Sequence, residues 1–210
     1  MTLFKGARET FADGLVYVPG YLDAGEQDAL RAAVEAAIVS APLFQPRMPR
    51  TGKPFSVKMT NCGPLGWVSD QAGGYRYQAE HPETGRPWPA IPALALRAWE
   101  ELGAYPHPPE ACLVNLYGPE ARMGLHQDRD EEDFTAPVVS LSLGASCIFR
   151  WGPARGGKTQ SLELASGDAL VLAGAARLAY HGVARILPGT SALLGGERIN
   201  LTLRRVTKPP

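Results

Sequence analysis

The sequence predicts a mainly β fold with flanking helices, a sandwich or jelly roll in architecture, on two observations. From Ala111 onward the chain is a succession of short apolar or alternating segments cut by Gly, Pro and Asp, the pattern of strands and turns. The helical periodicities lie ahead of that region, in the first half of the chain.

The first helix is predicted from a capping pair. Asp23 and Glu26 stand three apart, and Leu30, Val34, Ala37 and Ile38 then recur on one helical face. After a Pro- and Gly-rich stretch through Gly85-Arg86-Pro87-Trp88-Pro89, residues 92–102 read as a second helix, with Pro92 early and Gly103 as its stop. The strands follow as ACLVNLY, PVVSLSLG, CIFRW, SLELA, ALVLAG, HGVARI and RINLTLR. The segment carrying Tyr75 and Tyr77 reads as irregular.

Composition bounds the function. A chain of 210 residues, 45% apolar, can bury one substantial core, so a single domain over 1–210 is expected. Lys+Arg and Asp+Glu are equal at 21 each; overall charge predicts no nucleic-acid partner, and such binding has to rest on local patches. No stretch approaches a membrane span. The N-terminal MTLFKGARETFADG lacks both the apolar core of a signal peptide and the arginine-rich, acid-poor make-up of a transit peptide, so a cytoplasmic location and no membrane partner are expected. Cys62, Cys112 and Cys147 are odd in number and far apart, with no CxxC pair. They read as small core residues rather than a disulfide framework or a zinc site.

The chemistry is concentrated in two places. GLHQDRDEED sets His126 and Asp128 one residue apart, and the isolated His181 follows well downstream in AYHGV. Two imidazoles and one carboxylate in that order are the linear form of a facial triad, which fills one face of an octahedral iron and leaves the other open. A lone HxD carries little information. Weight comes from RINLTLR, where Arg198, Asn200, Thr202 and Arg204 alternate with Ile199, Leu201 and Leu203, placing both guanidiniums on one polar face of a strand. Read alone that face is a solvated edge; beside a metal triad it is an anion clamp, because guanidinium forks bind carboxylates bidentately.

The motifs MTNCGPLGW, GRPWPAIP, ACLVNLYGP, LHQDRDE, PVVSLSLG, YHG and RINLTLR, in this order between about 44 and 204, resemble those of the bacterial AlkB proteins. These are Fe(II)- and 2-oxoglutarate-dependent dioxygenases that repair alkylated nucleobases. The resemblance implies a double-stranded β-helix, cupin-like, with a catalytic core over about 111–206 and a nucleotide-recognition lid over about 44–90. It implies His126, Asp128 and His181 as Fe(II) ligands, Asn115, Tyr117, Arg198, Asn200 and Arg204 around 2-oxoglutarate, and O2 as oxidant. For the substrate it implies Met59, Trp67, Tyr75, Tyr77, Asp130 and Arg155. Trp67 would stack on a flipped base opposite His126, and Tyr75 and Tyr77 would hold a phosphate or close the rim. Asp130 would favour a cationic base such as 1-methyladenine or 3-methylcytosine. Glu131 is a second candidate for that contact, whereas Glu132 and Asp133 read as solvated.

The charges between Phe44 and Trp67 are Arg47, Arg50, Lys53 and Lys58, which read as lid cations touching phosphates, with Arg122 and Arg155 extending the surface. The implied activity is oxidative demethylation of N-alkylated bases in single-stranded DNA or RNA by a monomer, releasing formaldehyde, succinate and CO2. An iron-dependent hydroxylase of a protein or small molecule shares the triad and the arginine clamp, but has no need of the aromatic TNCGPLGW segment. A pure binding module has no need of the triad. One departure stands out: Leu172 occupies the position where the family pattern has a tryptophan, nine residues before the second histidine.

Overall fold

The alternation in RINLTLR is resolved by placing that strand at the interior of the largest sheet. The computed structural model describes residues 7–11 and 14–209; part of the N-terminal stretch read for leader signals lies outside the described residues. In chain order the elements are β1 Glu9–Thr10, β2 Leu15–Val18, α1 Ala24–Ser40, β3 Lys58–Cys62, β4 Gly66–Asp70, β5 Gly74–Gln78, α2 Ala93–Leu102, β6 Ala111–Tyr117 and β7 Met123–His126. They continue with β8 Val138–Gly144, β9 Ser146–Gly152, β10 Gln160–Leu164, β11 Ala169–Leu172, a 3-10 turn at Gly174–Leu178, β12 Tyr180–Leu187 and β13 Arg198–Arg204.

Among the described residues the strands form a seven-stranded sheet in the order β1-β2-β11-β8-β13-β6-β3, a four-stranded sheet β10-β9-β12-β7, and the hairpin β4-β5. All the pairings are antiparallel. Period two then sorts the side chains of the large sheet. Val114, Val139, Leu141, Leu143, Val171, Ile199, Leu201 and Leu203 fall on one face, in a core cluster with Leu30 and Val34 of α1 and Ala95, Trp99 and Leu102 of α2. Leu113, Val138, Leu170 and Leu172 fall on the opposite face, in a second cluster with Phe149, Trp151 and Val183 of the small sheet. The polar members of that inner face, Arg198, Asn200, Thr202 and Arg204, are therefore enclosed between two sheets. Arg198 is 1% exposed and Arg204 6%, which rules out the solvated edge.

The predicted helices form as expected. Asp23 accepts from the Glu26 backbone N–H at 3.0 Å and Glu26 reaches back to the Asp23 N–H at 2.9 Å, a complete capping box of the kind that contributes about 1 kcal/mol. Pro92 caps α2, whose buried face is Ala95, Ala98, Trp99 and Leu102. The three cysteines are free and buried.

One expectation is corrected. The stretch with Tyr75 and Tyr77 is a regular hairpin, with Trp67 opposite Tyr77 and Ser69 opposite Tyr75. Its turn is built by the Asp70 side chain, which accepts from Ala72 and Gly73, and by Gly74 at φ 68°. Strand β3 is the edge of the large sheet, paired with β6, so the MTNC segment belongs to the sheet. The glycine of GPLGW has a steric reason: a Cβ at Gly66 would come within 2.4 Å of the Trp88 indole, which lies across the hairpin and donates to Gln78 O at 2.9 Å.

Candidate metal centre and cofactor pocket

Strand register brings the two histidines together. His126, the last residue of β7, and His181, near the start of β12, are Cα partners in one ladder. Partners in a ladder project from the same face, and the two rings lie 4.5 Å apart between centroids. Each Nδ1 sits 3.0 Å from a backbone carbonyl two residues earlier, Gly124 O for His126 and Ala179 O for His181. A carbonyl can only accept, so that contact places the proton on Nδ1 and leaves a lone pair on Nε2. Asp128 completes the group: its Oδ1 is 3.7 Å from His126 Nε2 and its Oδ2 3.8 Å from His181 Nε2. All three ligand atoms lie within 4.8 Å of one another.

Protonation suits a metal. Burial disfavours the imidazolium of His181 and outweighs the opposing pull of Asp128, holding its pKa down at about 4, so the ring is neutral at ordinary pH. Burial pushes the Asp128 carboxyl up, but Arg204, His181 and His126 more than reverse this and keep it well below the usual carboxylate range. Arg204 Nη2 lies 2.9 Å from Asp128 Oδ2 as an ion pair, although that oxygen accepts no hydrogen bond.

A cavity of about 640 Å³ opens from this centre, a size common for ligand sites. Of the residues expected at the site, Met59, Trp67, Tyr75, Asn115, Tyr117, His126, Asp128, Asp130, Arg155, His181, Arg198, Asn200 and Arg204 all line it. Arg198 and Arg204, from the two ends of β13, line it with Asn115 and Tyr117, and Leu113, Val138, Leu170 and Leu172 supply apolar wall. Leu172 is 2% exposed and pairs in register with Val138. Asn200 is committed to protein partners, donating to Ser140 Oγ and Leu141 O and accepting from Thr202 Oγ1.

Arg198 is different. It donates from Nη2 to Ser142 Oγ at 3.0 Å, but its Nε and Nη1 are buried without a hydrogen-bond partner, as are Asn115 Oδ1, Arg204 Nε and Asp128 Oδ2. A buried group left unpaired costs roughly 1–3 kcal/mol. A dicarboxylate answers the arginine donors, and a divalent cation answers Asp128 and the two Nε2 lone pairs. The residues present therefore fit both iron and 2-oxoglutarate.

On another wall Trp67 donates its indole N–H to Asp130 Oδ2 at 2.7 Å. Its ring stacks on Tyr75, with centroids 5.6 Å apart, and meets Phe55 edge-on. Asn61, fully buried, fixes the backbone there by exchanging hydrogen bonds with Trp67 N and O. Tyr77 stands apart from these residues. Its hydroxyl lies behind the cavity wall, donating to Glu131 Oε1 and accepting from Arg204 Nη1 at 3.2 Å. Burial, against the pull of Arg204, pushes that phenol well up from its ordinary range.

Glu131 likewise faces the interior, with its side chain 1% exposed and bonded to Arg177 Nη2 at 3.1 Å. Asp133 is buried too, accepting from Tyr105 and Thr135, whereas Glu132 is exposed as expected. Arg47, Arg50, Lys53, Lys58 and Arg122 are exposed on the surface around the cavity mouth or beyond it. Sequence reading missed Arg177, which is 2% exposed and donates to Ala136 O, Asp128 O and Glu131. No local pattern marks it, because its partners lie forty or more residues away.

Comparison with known proteins agrees with this geometry. The 2OG-Fe(II) oxygenase superfamily model matches residues 14–204. The chain is 56% identical over 198 residues to the alpha-ketoglutarate-dependent dioxygenase AlkB homolog of Caulobacter vibrioides, covering 93% of this chain and 89% of that protein. It is 41% identical over 176 residues to the alpha-ketoglutarate-dependent dioxygenase AlkB of Escherichia coli, covering 81% of each. The solved structure of OsALKBH1 superposes with a TM-score of 0.80 at 28% identity, over 95% of this chain and 100% of that one. With the triad, the arginine-lined pocket and the double sheet in place, the chain belongs to the AlkB family of the 2OG-Fe(II) oxygenase superfamily and is a dioxygenase dependent on Fe(II), 2-oxoglutarate and O2.

Proposed function

We propose that the chain demethylates N-alkylated bases, such as 1-methyladenine and 3-methylcytosine, in single-stranded DNA or RNA. The observation that carries this reading is the Trp67–Asp130 pair on the wall of the metal cavity, an aromatic face and a carboxylate held together by one hydrogen bond. A flipped base needs a stacking surface, worth roughly 1–3 kcal/mol, and a methylated cationic base gains further from a nearby negative charge. More distant relatives named as DNA N(6)-methyladenine demethylase and tRNA demethylase support a nucleic-acid substrate.

In this reading His126 Nε2, Asp128 and His181 Nε2 hold iron, and Arg198, Arg204, Asn115 and Tyr117 receive 2-oxoglutarate. Bound together with O2, they supply the oxidation: 2-oxoglutarate becomes succinate and CO2, one oxygen atom enters a methyl C–H bond, and the resulting hydroxymethyl group leaves as formaldehyde. The protein's own part is aim. The arginines fix the co-substrate as charged forks, and Leu170, Leu172 and Val138 give the cavity an apolar wall. Trp67 and Asp130 hold the base so that its methyl group faces the triad. Met59, 2% exposed, closes the floor beneath, and Arg155, exposed at the mouth, offers a phosphate contact. The protein acts as a monomer, as one domain over 1–210, with the segment at about 44–90 recognising the nucleotide and about 111–206 forming the catalytic core.

The test is turnover of oligonucleotides carrying single 1-methyladenine or 3-methylcytosine lesions with added iron and 2-oxoglutarate, read by mass spectrometry. Loss of one methylene equivalent with matched succinate is the expected result. Succinate formation that no methylated strand stimulates would assign the enzyme to another substrate class.

A further inference from the structure

Behind the Arg204 side of the cavity lies a buried ring of three side chains from three separate parts of the chain. Arg204 Nη1 of β13 donates to the Tyr77 hydroxyl of β5 at 3.2 Å. Tyr77 donates in turn to Glu131 Oε1, and the same oxygen lies 3.5 Å from Arg204 Nε. Four further contacts tie the ring down. Glu131 Oε2 accepts from Arg177 Nη2, while Arg177 Nη1 donates to the carbonyl of Asp128 at 2.9 Å and Nε to that of Ala136 at 2.9 Å. Arg204 closes on the metal ligand itself through Asp128 Oδ2 at 2.9 Å.

The charges explain why the arrangement holds. Two buried arginines face two buried carboxylates, Asp128 and Glu131, so that none of the four is an uncompensated ion. Glu131 is also unlike a base-contacting residue: both its oxygens are engaged, and it does not line the cavity. What it touches is the guanidinium that faces the co-substrate. Tyr77 is the member that belongs to the β4–β5 hairpin, the same hairpin that carries Trp67 and Tyr75.

We propose that Glu131 is a positioning residue acting through Arg204, and that the Tyr77 hydroxyl couples the seating of the β4–β5 hairpin to the co-substrate site. This rests on the assignment of Arg204 to 2-oxoglutarate. The orientation of Arg204 is shared among Asp128, Glu131 and Tyr77, so any ligand that fixes the guanidinium also fixes the acceptor on the hairpin. Coupling of this kind is reciprocal: a co-substrate that steadies the hairpin is itself bound more tightly when the hairpin is seated. The hairpin in turn presents Trp67 to Asp130, so the base platform is assembled in step with the co-substrate pocket.

The experiment is hydrogen exchange of the backbone amides of residues 66–78, with and without 2-oxoglutarate and Mn(II), in the wild type, Tyr77→Phe and Glu131→Gln. No nucleic acid is present, so the outcome does not depend on what the enzyme demethylates. In the wild type, binding is expected to slow exchange by roughly two- to tenfold, the effect of strengthening one hydrogen bond. In Tyr77→Phe, which keeps the ring but has no hydroxyl, that slowing is expected to vanish and 2-oxoglutarate affinity to fall by about the same two- to tenfold factor, as reciprocity requires. Glu131→Gln is expected to lower 2-oxoglutarate affinity by roughly tenfold. Equal slowing in Tyr77→Phe and wild type, or none in the wild type, would overturn the coupling. Unchanged 2-oxoglutarate affinity in Arg204→Lys would instead remove the assignment on which it rests.

Discussion

Trp67 and Asp130 are sixty-three positions apart and share a 2.7 Å hydrogen bond from indole to carboxylate. The aromatic face and the negative charge are therefore one unit, and they separate under mutation. Trp67→Phe keeps the ring and drops the donor, whereas Asp130→Ala keeps the ring and drops the charge.

Trp67→Ala should reduce demethylation steeply while iron and 2-oxoglutarate still bind, since no metal contact is lost. Trp67→Phe should fall between it and the wild type. Asp130→Ala should penalise cationic 3-methylcytosine more than neutral 1-methylguanine. Single-turnover rates on each lesion, at one fixed salt concentration because phosphate contacts are salt-dependent, provide the comparison. Equal losses on the two lesions would leave Asp130 without a charge-recognition role.

The metal ligands should be indispensable but not equivalent in stability. His126→Ala, Asp128→Ala and His181→Ala should each abolish succinate formation. His126 has a side chain 41% exposed and should leave the melting temperature nearly unchanged. Asp128→Ala removes a 5% exposed carboxylate from Arg204 and leaves two buried arginines facing Glu131 alone, and breaking a buried pair costs about 3–5 kcal/mol. Thermal unfolding of the metal-free proteins reads this order directly, and an Asp128→Ala protein as stable as His126→Ala would contradict it.

Arg198 should contribute affinity without contributing chemistry. Its unpartnered Nε and Nη1 have only a bound anion to meet, so Arg198→Ala should weaken 2-oxoglutarate binding by about 1.5–3 kcal/mol, the scale of a charged hydrogen bond. Calorimetry in the presence of Mn(II) measures it. Unchanged affinity would place the co-substrate elsewhere.

Acid stability should depend on Asp133. Hydrogen bonds from the Thr135 and Tyr105 side chains and from Thr135 N hold its pKa down at about 2. The same group titrates at about 3.9 in an unfolded chain. Between these values the unfolded chain binds more protons, so the stabilisation is full above about pH 4 and is lost as pH falls through about 2. Urea unfolding across that range should show a shallower decline for Asp133→Asn, and identical slopes would refute the contribution.

The elements that could be read from sequence were those whose cause is local. The Asp23–Glu26 box, the Pro92 start and seven of the eight strands from Ala111 onward, all but the short β7 with its Gly124, announce themselves within a few residues. So did His126, Asp128 and Arg198, through spacing and period. The hairpin was missed because Tyr75 and Tyr77 alternate with polar and glycine residues rather than with aliphatics, and its stability comes from Trp88 and Asn61 packed across it. Arg177 and the inward turn of Glu131 were hidden for another reason. The partners of each arrive from distant parts of the chain, so no local pattern marks them.

The pairing of His126 with His181 is made by strand register, and its clearance is set by Gly182. A Cβ there would sit 2.5 Å from Met123 O and 2.8 Å from Gly124 O, on the backbone that also orients the His126 ring. A single methyl group at a residue that ligates nothing would thus push β7 away from β12 and part the two imidazoles. Metal affinity in this protein is in that sense a gauge of how closely two backbones approach, and selection on catalysis would reach a glycine as surely as a histidine.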